Sequence, residues 1–120
     1  MESTELIRTI TSVVRQAGPA AALESLRDTR PDLTPCSPVA GDGYHDTLAV
    51  FYVWAVDRLV DAGLSDLAVM WHPLTDVRSP LSWWDEATLA SIEARISFVP
   101  ATLAAAWEPA PFEPATLVTV

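Results

Sequence analysis

Two histidines, one cysteine and sixteen carboxylates are the side chains through which this 120-residue chain could carry out acid-base, nucleophilic or metal chemistry. Such chemistry needs groups that converge, because a general base must reach the proton it takes and a metal gathers several ligands around one point. His45 and Asp46 are adjacent, but neighbouring positions on a helix point about 100° apart, so the two cannot easily meet one ion. The other histidine, His72, stands four residues before Asp76 in WHPLTD. That spacing would pair them on a helix, but Pro73 lies between them and opposes one. Cys36 sits in TPCSP with no basic neighbour to stabilise a thiolate. Asp85 and Glu86 are explained by the first turn of a helix, where negative charge is favoured.

Phosphate-binding loops are missing: the four glycines are scattered, and Gly41-Asp42-Gly43 lacks the glycine and lysine that would follow in such a loop. No G-x-S-x-G elbow is present either. His45, Tyr52 and His72 remain as weak catalytic candidates for a small enzyme or ligand carrier. His45 shares a helix face with Ala49, Tyr52 and Val56, and a position near a helix N-terminus disfavours its charged form. The tryptophans Trp54, Trp71, Trp83, Trp84 and Trp107 could line a pocket for a planar or sugar ligand, although rings of this size more often fill a core. Nothing in this set calls for a cofactor or a metal.

The elements that would position these residues read as helices. Leu6, Ile7, Ile10, Val13, Val14 and Ala17 recur at helical spacing over residues 4–17, with Ser3 or Thr4 as N-cap and Gly18 beyond the end. Pro19 suits the first turn of a second helix presenting Leu23 and Leu26 and stopping before Arg30-Pro31. Residues 30–43 hold too many prolines and glycines for a regular element and read as an ordered surface loop. A third helix is predicted from about Tyr44 to Ala62, closed by Gly63, and it contains the uninterrupted apolar run LAVFYVWAV from Leu48 to Val56. Residues 67–71 are too short to assign to a helical turn or a strand. Ser82 and Asp85 form an S-x-x-D capping box that predicts a helix to about Ser97, with Leu89, Ile92, Ile96 and Val99 as its core stripe. Pro100 is expected to start a short helix ending at Trp107. The proline-rich remainder favours an extended tail whose LVTV could pair as an edge strand.

The fold class that follows is all-α: one compact domain of four or five helices over residues 1–107, a proline-rich loop at about 30–43, and an extended tail over 108–120. A lone cysteine excludes a disulfide scaffold, and the acidic N-terminus shows no leader pattern, so a soluble cytoplasmic protein is the default expectation. Seven arginines, no lysine and a net charge of -9 oppose nucleic acid and anionic membrane as partners.

On the third helix Tyr44, Leu48, Phe51, Tyr52, Ala55 and Leu59 form one broad core face. The opposite side collects Asp46, Thr47, Val50, Trp54, Asp57, Arg58 and Asp61, with Arg58 one turn after Trp54 and able to stack on its ring. Val50, Trp54, Asp57, Arg58 and Asp61 therefore form the expected partner-binding patch, whose acidic rim suits a basic partner. The competing reading is that the N-terminal helix or the loop before Gly43 covers Trp54. The leading expectation is a small acidic protein that binds another protein, as an accessory, inhibitor or immunity-type factor, rather than an enzyme. A self-associating structural module is the further alternative.

Overall fold

The computed structural model describes residues 3–103. The apolar run of the sequence is the axis of the molecule. Helix α3 (Asp46–Asp61) is buried without interruption from Asp46 to Val56, because other elements pack on it from several sides. Helix α1 (Ser3–Ala17) lays Leu6, Ile7, Ile10 and Val14 against it, and α2 (Pro19–Thr29) adds Ala22, Leu23 and Leu26. Three shorter helices, α4 (Asp66–Met70), α5 (Glu86–Leu89) and α6 (Ile92–Ile96), follow, with 3-10 turns at Pro73–Thr75 and Ser79–Ser82 between α4 and α5. The described residues are all-helical, with no strand, and none of their helices is long and apolar enough to cross a membrane.

Local chemistry sets the helix ends. Pro19 opens α2 at a position where its missing N–H costs nothing. His45 is the N-cap of α3, its Nδ1 accepting from the Leu48 N–H at 3.2 Å, so the helix begins two residues later than its apolar pattern predicts. At the other end Gly63 takes φ +90°, which lets its N–H reach the Val60 carbonyl and the Leu64 N–H reach that of Leu59. The ambiguous residues 67–71 are resolved as helix: Ser65 caps the Ala68 N–H, and Arg15 of α1 ties the segment down through Asp66 and the Leu64 carbonyl.

The loop before α3 is held at both ends. Asp32 accepts from Thr34 and from the Gly43 N–H, while Arg95 reaches over from α6 to the carbonyls of Ala40 and Asp42. Gly41, at φ +111°, lies directly under the Arg95 guanidinium, where a Cβ would collide with it. Leu33, Cys36 and Val39 turn inward and make this loop part of the core.

Two expectations need correction. The helix predicted from the Ser82–Asp85 capping box is two single-turn helices: Asp85 is itself the cap of α5, and Ser91 breaks the ladder by bonding to the Thr88 carbonyl and capping the Ala94 N–H. That break resets the helical phase. Leu89 and Ala94 face the core, whereas Ile92 and Ile96, expected inside, are 76% and 68% exposed. The helix expected after Pro100 is not formed over residues 101–103, where the N–H groups of Thr102 and Leu103 bond to the Trp83 carbonyl instead. Its continuation to Trp107 and the tail over 108–120 lie outside the described residues.

Candidate functional site

Of the three catalytic candidates, His45 and Tyr52 are committed to structure. His45 is buried; its Nε2–H donates to the Leu89 carbonyl at 2.7 Å while Nδ1 accepts from Leu48, so both ring nitrogens are engaged in the neutral form. Burial holds its pKa below the usual histidine value, with Arg95 adding to the shift and Asp46 opposing it. The buried Tyr52 hydroxyl is shared between the carbonyls of Cys36 and Asp76, at 3.0 and 3.1 Å, and pins two loops to α3. Burial pushes its pKa up, as it pushes the Cys36 thiol to about 12, so neither supplies an anion near neutral pH. Asp46, the other half of the adjacent pair, is buried in a bidentate ion pair with Arg27 and accepts from the Tyr44 hydroxyl.

The expected contact patch is divided by the structure. Val50 is completely buried and does not reach the surface, which corrects its assignment to an exposed stripe. Trp54 is 7% exposed, its ring packed on Phe51 and, edge to face at 5.6 Å, on Trp83. Trp83, in the segment after Pro80, supplies cover that was not expected from that part of the chain. Arg58 does stack over Trp54, 5.3 Å from the ring centroid. Asp57, Arg58 and Asp61 remain accessible and, with Trp54 and Ala62, line a notch of about 340 Å³. Asp57 is held above the usual carboxylate range by burial first, then by Asp61 one turn on, with Arg58 opposing.

A larger concavity lies outside the expected partner-binding patch. An open groove of about 830 Å³ runs between the start of α1 and the residues that follow α4, lined by Trp71, His72, Asp76, Arg78, Ser79 and Trp83 among others. His72 keeps Nδ1 on the Leu74 N–H as the cap of the Pro73–Thr75 turn. His72 and Asp76 thus share the groove, though not as a helical pair. Trp71 is 70% exposed, and Leu67, one turn before it, is 63% exposed. The signal for this ridge was present: Val69 is the only residue of α4 buried in the core, and the i, i+4 spacing of Leu67 and Trp71 points both away from it. Trp83 joins the two concavities, lining the groove while packing on Trp54. Its neighbour Trp84 is buried, donating Nε1–H to the Val99 carbonyl at 2.8 Å.

Compared with protein-family models, curated proteins and solved structures, the chain matches none.

Proposed function

We propose that this protein acts by binding another protein, as a small accessory or inhibitory factor of the cytoplasm, and that the contact centres on Trp71. The observation that carries this reading is the Leu67–Trp71 ridge at the rim of the groove, where two large apolar side chains stand in water on a helix anchored by Arg15. Tryptophan is the residue type most enriched at the energetic centre of protein interfaces. Covering the exposed part of its ring is worth about 3 kcal/mol. The ridge is already held in place, so little ordering entropy opposes docking.

The test is a pair of affinity purifications from the native host, one with the natural chain and one with Trp71→Ala, alongside melting of both proteins. A companion in stoichiometric amount that is lost with Trp71→Ala, at an unchanged melting midpoint, supports the reading. A companion retained by the variant would move the contact elsewhere.

A further inference from the structure

We infer that the groove lined by Trp71 and Trp83 is a seat for a proline-rich segment, and that its occupant is the chain's own residues 104–120, docked in cis. The inference goes beyond the proposed partner contact, which concerns the Leu67–Trp71 ridge at the rim.

The place where the described chain leaves off carries the first part of the argument. The N–H groups of Thr102 and Leu103 both bond to the Trp83 carbonyl at 2.9 Å, and Trp83 lines the groove. Residue 104 therefore starts beside the groove wall. At polyproline spacing Trp107 is about 12 Å beyond Leu103 and Phe112 about 28 Å. Both rings can reach the groove in a molecule whose longest dimension is 35 Å. A tether this short gives the segment an effective concentration on the order of 1 mM at the groove, an advantage that no free partner shares.

Complementarity carries the second part. Pro109, Pro111 and Pro114 favour a polyproline helix, and Pro111-Phe112-Glu113-Pro114 has the P-x-x-P spacing that aromatic-lined grooves recognise. Trp71 and Trp83 supply that lining here. The segment carries Glu108 and Glu113 and no basic residue. Arg78 in the groove is exposed and forms no ion pair with a described residue. Asp76, the carboxylate of the groove, accepts from the backbone N–H of Arg78 rather than from its guanidinium. The guanidinium is thus the group that a glutamate of the segment meets.

The experiment records the indole N–H resonances of Trp71 and Trp83 by NMR in the full chain and in full-length Trp107→Ala/Phe112→Ala. Undocking should move both signals in the double variant, and Phe112→Ala alone should move them less, in the same direction. A synthetic peptide of residues 104–120 should return the signals of the double variant to their natural positions, which separates undocking from unfolding. That peptide should bind the natural chain roughly tenfold more weakly than the double variant, because it must displace the tethered segment. Unmoved indole signals, or equal peptide affinity for the two proteins, would overturn the inference. A difference between the two proteins that fades on dilution would place the segment on a second copy and overturn docking in cis.

Discussion

His45 shows how a side chain suited to catalysis can be used up by architecture. Its two nitrogens join the first turn of α3 to the last carbonyl of α5, and the neutral tautomer alone satisfies both. Replacing it with alanine leaves a buried N–H and a buried carbonyl unsatisfied, which should cost about 2–4 kcal/mol in urea unfolding. The pH dependence has a definite sign. The unfolded chain takes up a proton at this residue near pH 6.5, the folded chain only at lower pH. The contribution of neutral His45 is therefore complete above that value and is lost as pH falls below it. Stability of the natural protein should decline between pH 7 and 5, whereas His45→Asn, which can still cap α3, should lack that slope. The carboxylates of Asp32 and Asp85, held low by hydrogen bonds to Thr34 and to Thr102 and Thr88, contribute stability that is lost only in more acid solution. Asp57, held high, works in the opposite direction there. Trp54 gives a second test: because Phe51 and Trp83 enclose its ring, Trp54→Ala should cost about 3–5 kcal/mol in chemical unfolding. An unchanged stability would mean that the ring is not part of the core.

Among the elements, the contrast between α3 and the α5–α6 segment is the instructive one. The Leu48–Val56 run, the capping polar residues before it and Gly63 after it all agree on a helix, and only the first residue differs from the pattern. Residues 82–97 also carry a cap, a periodic stripe and a suitable length, yet they break at Ser91. A serine hydroxyl competes with the backbone at any helix position; whether it wins depends on what the next turn gains by rotating. Here the rotation puts Ala94 rather than Ile92 or Ile96 against α3, and lets Arg95 reach the carbonyls of Ala40 and Asp42. Ser91→Ala should thus destabilise the protein by about 1 kcal/mol, through loss of the α6 cap, rather than stabilise it by extending a helix. Thermal melting of the single variant distinguishes the two signs.

For the molecule as a whole, the distribution of charge matters more than its sum. Five of the seven arginines are occupied within the fold: Arg15 and Arg27 in ion pairs, Arg30 and Arg58 over aromatic rings, and Arg95 on loop carbonyls. Of the carboxylates among the described residues only Asp46 and Asp66 form ion pairs, and most of these carboxylates are exposed. Their mutual repulsion opposes the compact state, so raising sodium chloride from 20 to about 200 mM should raise the melting midpoint, because the screening length falls to about 7–8 Å. A midpoint that falls with salt would mean that attractive pairs dominate.

The sequence by itself determined the helical class, the central place of Leu48–Val56, the caps at Pro19 and Gly63 and the stacking of Arg58 on Trp54. Each of these depends on residues within a few positions of one another, where backbone geometry and spacing leave few alternatives. Which side of α3 reaches water was decided only by the tertiary structure. The period of a helix tells which residues share a face, but not how many neighbours arrive to cover it. Arg27 from α2 neutralises Asp46, Trp83 encloses Trp54, and the polar stripe that the helical period lays along the whole of α3 emerges only at Asp57, Arg58 and Asp61. The exposure of Trp71 has the same origin: the core covers α4 on the Val69 side, and Leu67 and Trp71 lie on the opposite side, which its neighbours leave open.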